Sequence, residues 1–200
     1  SYIDPDPAIF LGSSEVSVKE MVGAFSIYAN KGVYNAPMMV TKIEDKYGNV
    51  LANFYPESRE VITENTAFLM ANLLQGVVDE GTGRRLRFRY GFKNQIGGKT
   101  GTTQNHSDGW FIGITPDLAG GVWVGAEDRS IHFQNLANGQ GASMALPIWA
   151  LFMQKVYADK SLAVPQSDFQ KPNGVNHVLD CGDADREGMT DYDSSDEIFD

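Results

Sequence analysis

The chain has 200 residues, 42% of them hydrophobic and 21% charged, with a formal net charge of −10; that length holds one domain with a sizeable core, or a large piece of a bigger one. The single cysteine, Cys181, excludes an intrachain disulfide and a cysteine-based zinc site. No apolar run of about 18 residues marks a membrane span, and the start "SYIDPDPAIF" lacks the form of a signal peptide, so any anchor or leader is expected outside this chain.

Along the chain, "SVKEMVGAFSIYANKG" (17–32) predicts a complete helix. Ser17 and Glu20 form an S-x-x-E capping box, apolar residues recur at helical spacing through Met21, Phe25, Tyr28 and Ala29, and Gly32 stands where a left-handed cap belongs. "MMVTKI" and "VLANFY" flank the turn-rich "EDKYGN" and predict a β-hairpin. "TENTAFLMANLLQGVVDEG" predicts a second helix, with Thr63 as N-cap, Phe68, Leu69, Leu73, Val77 and Val78 as buried stripe, and Gly81 as its end. The run from Arg84 to Lys93 carries five positive charges and reads as a solvated basic loop, because a nucleic-acid surface would need support from a body that is nearly neutral.

Three strands are expected next, around 95–103, at "GWFIGIT" (109–115) and at "GGVWVGAE" (120–127). Their short connections favour antiparallel neighbours. "ASMALPIWALFMQKVYAD" predicts an apolar helix in which Pro147 marks a kink or a later start. The last 35 residues (166–200) hold ten acids against two bases, so the acidity belongs to this tail. It is expected to be disordered or to wrap on the surface of a folded unit spanning 1–165.

The chemistry concentrates in "GGKTGTT" (97–103). A phosphate loop needs Gly, four residues, then Gly-Lys-Ser/Thr, and that count places Lys93 where the first glycine belongs. "TGTT" is also a poor first helical turn, which makes a nucleotide-binding module the minor alternative. Read as a strand, the stretch puts Thr100 and Thr102 on one side and leaves the other bare at Gly101. An extended peptide can lie along such an edge. Threonine hydroxyls donate to a carboxylate, Lys99 adds positive charge, and the Thr102 N–H can face a developing oxyanion. A non-catalytic domain that only binds a peptide carboxylate is a further alternative.

"GGKTGTT" with "SDGWFIGITPDLAGGVWVG", preceded in order by "LGSSEVSVKEMVGAFSIYANKGVY" and "VVDEGTGRR", resembles the C-terminal part of the transpeptidase domain of class A (bifunctional) penicillin-binding proteins, over residues 8–157. The resemblance implies an α/β fold of α+β type, a partial penicillin-binding or serine β-lactamase-like domain with antiparallel strands packed by helices, plus a hairpin. It implies a peptidoglycan D,D-transpeptidase in which a serine attacks D-Ala-D-Ala stem peptides, is stalled by penicillins, and works without a cofactor or metal at the extracytoplasmic (periplasmic) face of a bacterial inner membrane. Carried over by motif, Lys99 supports the serine centre and Thr102 lends its N–H to the oxyanion hole. Lys99, Thr100, Gly101, Thr102 and Thr103 form the substrate-binding strand.

The nucleophile breaks the pattern. No lysine has a serine three residues before it, and no asparagine has one two residues before it. S-x-x-K and S-x-N are therefore expected upstream, in the remainder of the same protein together with a glycosyltransferase domain and the membrane anchor; the chain reads as a C-terminal fragment, inactive alone. Such a fragment is expected to leave an apolar face of its sheet uncovered. The adjacent His106, Ser107 and Asp108 read as a polar turn rather than a triad, the histidines 106, 132 and 177 share no metal-ligand spacing, and Trp110, Trp123 and Trp149 read as core.

Overall fold

The computed structural model describes residue 3 and residues 5–175. After a short 3-10 turn, Pro7–Leu11, come helix α1 (Val18–Ala29), strands β1 (Val33–Asn35), β2 (Lys42–Glu44), β3 (Val50–Asn53) and β4 (Ser58–Glu60), and helices α2 (Glu64–Asp79) and α3 (Arg85–Phe88). Strands β5 (Gly97–Thr102), β6 (Asp108–Ile114) and β7 (Ala119–Gly125) follow, then helices α4 (Leu136–Gly139) and α5 (Gly141–Ala158).

The capping box forms as expected: the Glu20 N–H donates to Ser17 Oγ at 3.2 Å and the Ser17 N–H to Glu20 Oε2 at 2.8 Å. The left-handed turn after α1 spans two residues, Lys31 (φ 53°) and Gly32 (φ 92°), and Gly32 N–H closes it on Ile27 O at 2.8 Å. Only glycine fits at 32, because a Cβ there would overlap the Ile62 carbonyl oxygen. β2 and β3 pair antiparallel as the hairpin, and β1 and β4 form a second two-stranded ladder.

β5, β6 and β7 form an antiparallel meander in that order, with Gly97 opposite Ile114, Thr102 opposite Gly109 and Trp110 opposite Trp123. α5 covers one face and α1 and α2 the other. On the α5 face a Cβ at Gly113 would stand 2.5 Å from the Trp149 ring, and on the other face one at Gly97 would stand 3.0 Å from Leu74 Cβ. The larger core cluster lies on the α5 side, built on Phe111, Leu86, Ile96, Leu146, Trp149 and Met153; the smaller joins Ala71, Leu74 and Ile114 under α2.

Several expectations are corrected. The buried residues of α2 are Ala67, Ala71, Leu74 and Val78, whereas Leu73 is exposed. Ala71 and Leu74 are the α2 residues that lie against Gly97 of β5, so the buried face runs through Ala67, Ala71, Leu74 and the expected Val78, and Leu73 falls outside it. The basic run is no solvated loop. It folds into α3 with Leu86 fully buried, and Arg87 bonds Asp79 Oδ1 together with the carbonyls of Phe92 and Asn94. Trp149 is core, but Trp123 is 42% exposed. α5 begins six residues before Pro147 and runs through it. Both faces of the sheet carry helices of this chain, so neither face is left bare, contrary to expectation; exposed apolar side chains on the sheet and on α5 include Trp123 and, on the outer side of α5, Ile148, Leu151 and Phe152.

Residues 166–175 run over the body without regular structure: Ser167 N–H donates to Asp117 Oδ2 at 3.2 Å, Phe169 N–H to Gln95 Oε1 at 2.8 Å, and Val175 is buried. The rest of the acidic tail, with Cys181 and His177, lies outside the described residues.

Candidate active site

"GGKTGT" is a strand along its whole length. A phosphate loop opens a helix; this stretch instead pairs residue by residue with β6, so the phosphate-loop geometry is absent. β5 is an edge strand, and its pattern of exposure fits two tasks. Gly97 and Gly98 are buried between the helical layers, while Lys99, Thr100, Gly101 and Thr102 emerge toward solvent.

Strand alternation separates the side chains. Gly98, Thr100 and Thr102 share the α5 face with Phe111; Lys99 and Gly101 share the opposite face with Ile112 and Trp110. Lys99 therefore approaches the edge from the other side than the threonine hydroxyls. Its Nζ folds back onto its own strand and donates to Thr100 O at 2.7 Å. That bond marks the Thr100 carbonyl as pointing away from β6. The Thr103 N–H, by contrast, bonds Asp108 O across the ladder at 3.2 Å. Because inward and outward backbone groups alternate in an antiparallel edge strand, the Thr102 N–H also faces the open edge.

The hydroxyls are held by residues distant in sequence. Thr100 Oγ1 lies 2.7 Å from Thr82 Oγ1, in the loop between α2 and α3. Thr102 Oγ1 accepts from the Gly141 N–H, the first residue of α5, at 3.0 Å, which leaves its own O–H free to donate. Thr103 is committed inside the β5–β6 turn: its Oγ1 accepts from the Asp108 N–H at 3.1 Å and lies 3.0 Å from Ser107 Oγ. The residues His106, Ser107 and Asp108 form a polar turn. Ser107 Oγ bonds Thr103 and Gln104 O, not His106, and Asn105 and His106 both take φ 57°. Thr82 and Gly141 were not legible as site residues.

The chain between α2 and α3 also limits the edge. α2 packs on one face of β5 and Leu86 of α3 is buried on the other, so residues 80–84 pass around the edge at Thr100. The open part is the Thr102 end. A cavity of about 260 Å³ lies elsewhere, at the β6–β7 turn beside Lys31, Glu64, Asp117 and Phe169, remote from the exposed end of β5. Among the described residues there is no cluster of metal-ligating side chains, and no helix is long and apolar enough to cross a membrane.

A family model described as the penicillin binding protein transpeptidase domain matches residues 8–141, two thirds of the chain. The chain belongs to the penicillin-binding protein transpeptidase family. The match ends at Gly141, the residue that joins α5 to Thr102. The chain is 33% identical over 170 residues to penicillin-binding protein 1A of Aquifex aeolicus, covering 85% of this chain and 22% of that protein. It is 32% identical over 179 residues to penicillin-binding protein 2D of Bacillus subtilis, covering 86% and 24%. Its fold matches penicillin-binding protein 1A of Haemophilus influenzae with a TM-score of 0.72 at 23% identity, over 83% of this chain and 29% of that one. The chain thus spans about a quarter or less of the curated relatives named here. These matches agree with the resemblance drawn from the ordered motifs around "GGKTGTT", and with a mixed fold of helices on an antiparallel sheet.

Proposed function

We propose that this chain is the C-terminal part of a peptidoglycan D,D-transpeptidase, and that β5 is the substrate-binding wall of its acyl-transfer site. The observation that carries the reading is an edge strand in a transpeptidase-family fold that brings Lys99 on one face, two threonine hydroxyls on the other and an outward N–H at Thr102 within four residues of its solvent-exposed half. In this reading a stem peptide ending in D-Ala-D-Ala, or a penicillin that mimics it, lies along the Thr102 end of β5. Its carboxylate takes hydrogen bonds from Thr100 and Thr102. Charge-assisted bonds of this kind are worth about twice neutral ones. The acyl carbonyl sits against the Thr102 N–H, which stabilises the oxyanion as it develops. Lys99, on the opposite face of the strand, holds positive charge toward the serine centre. Gly101 keeps the strand surface low between them. Thr103 serves the wall by fixing its turn.

The attacking serine and its lysine come from another part of the parent protein, since this sequence has no S-x-x-K. The serine oxygen bonds to the acyl carbon, D-alanine leaves with a proton, and an amine on a neighbouring strand then displaces the serine. The parent would act outside the cytoplasmic membrane, where its cell-wall substrate lies, carried by an anchor and joined to a glycosyltransferase domain elsewhere in the protein. No cofactor is required. Labelling with a fluorescent penicillin tests the reading. The full-length parent is expected to label and the isolated chain to remain unlabelled; a parent that does not label, or an isolated chain that does, overturns it.

A further inference from the structure

Between α2 and α3 the sequence reads Gly81-Thr82-Gly83, and both glycines sit where a side chain would crowd the backbone of α2. A Cβ at Gly81 would stand 2.9 Å from both Cα and O of Val77, and one at Gly83 would stand 3.1 Å from Val77 O. The loop is therefore pressed onto the last turn of α2, and Gly83 N–H secures it on Val77 O at 2.8 Å. Two residues further on, Arg85 Nη1 donates to Ala142 O at 3.0 Å and to Ser143 Oγ at 2.8 Å, tying the far end to α5. Thr82 is held between these anchors with its hydroxyl 2.7 Å from that of Thr100. An exposed threonine with no such restraint would rotate freely among its rotamers.

Two hydroxyls at this distance share one proton and leave the other free. If Thr100 donates to Thr82, it has nothing to offer an anion. If Thr82 donates to Thr100, the Thr100 proton is free for a carboxylate, and the chain of two hydroxyls is polarised in one direction. We infer that Thr82 is a positioning residue that donates to Thr100 and so turns the Thr100 hydroxyl toward the carboxylate of the substrate. This inference rests on the reading of β5 as the carboxylate-binding wall.

The test uses the full-length parent and measures acylation rate constants for a penicillin and for the same penicillin with its carboxylate esterified. Thr82→Val is expected to slow acylation by the free acid roughly fivefold to tenfold, the factor one ordinary hydrogen bond represents. The ester is expected to be spared, within about twofold, because no anion is there to be recognised. Thr82→Ser restores the free-acid rate to within about twofold, since it keeps the hydroxyl. Adding Thr82→Val to Thr100→Val produces no further loss, because the two act as a unit. Equal losses on acid and ester, a serine variant as slow as the valine variant, or additive losses would overturn the inference. If Thr100→Val slows the free acid and Thr82→Val does not, only the inference about Thr82 falls. If neither substitution matters, the carboxylate wall falls with it.

Discussion

Gly141 joins the helical layer to the candidate site, and replacing it with alanine tests that junction. Its N–H donates to Thr102 Oγ1 at 3.0 Å, and an added Cβ would fall on the carbonyl oxygens of Gly101 and Trp110, with Trp110 N 3.2 Å away. These obstacles are backbone atoms of a strand pair fixed in register, not flexible side-chain ends. The start of α5 must therefore lift from the sheet. Overpacking of this kind costs about 1–3 kcal/mol, and loss of the hydrogen bond adds about 1 kcal/mol. The sum, about 2–4 kcal/mol, corresponds to a urea midpoint lower by about 1 M at a slope of 2–3 kcal/mol/M. Urea unfolding of the 200-residue chain, followed by tryptophan fluorescence, reads this directly, since buried Trp149 lies on α5. A midpoint unchanged within about 0.2 M would refute the close approach on which the geometry of Thr102 depends.

Arg87→Ala leaves the Phe92 and Asn94 carbonyls and the Asp79 carboxylate without their shared donor, and is expected to lower stability by about 2–4 kcal/mol in the same assay. Arg87→Lys should recover less than half of that, because an ammonium cannot reproduce the fork. Burial raises the Tyr157 pKa above its ordinary 10.0, against the opposing bond from Asn94. The folded state thus favours the protonated phenol, so its contribution is complete below the unfolded pKa and is lost as pH rises through 10 toward the folded value. Denaturation midpoints compared at about pH 8 and pH 11 should fall less in Tyr157→Phe than in the parent sequence, and an equal fall in both would refute the assignment.

The elements that follow from local rules were legible. The Ser17–Glu20 box, the hairpin around "EDKYGN" and the three strands from Gly97 onward each carry their signal within a few residues. What escaped was set by contacts distant in sequence. Leu73 fits a helical stripe as well as Leu74 does; only the approach of α2 to Gly97 decides that Ala71 and Leu74 face the sheet. The basic run looked solvated because nothing local reveals that Arg85 and Arg87 would find carbonyls to bond. The same holds at the site. "GGKTGTT" announced an edge strand with a charge and hydroxyls, but Thr82 and Gly141 lie 18 and 39 positions from the threonines they bond.

The central claim is that the exposed end of β5 is the receiving wall of an acyl-transfer site, and Lys99 is where it is most open to contradiction. The decisive quantity is the acylation rate constant of the full-length parent with a penicillin, compared between the natural sequence and Lys99→Ala. Removing a preorganised charge from such a site is expected to slow acylation by about 100-fold or more. The side chain is exposed and bonds only its own strand, so the fold should be unaffected. A Lys99→Ala parent that acylates within about threefold of the natural one would contradict the claim.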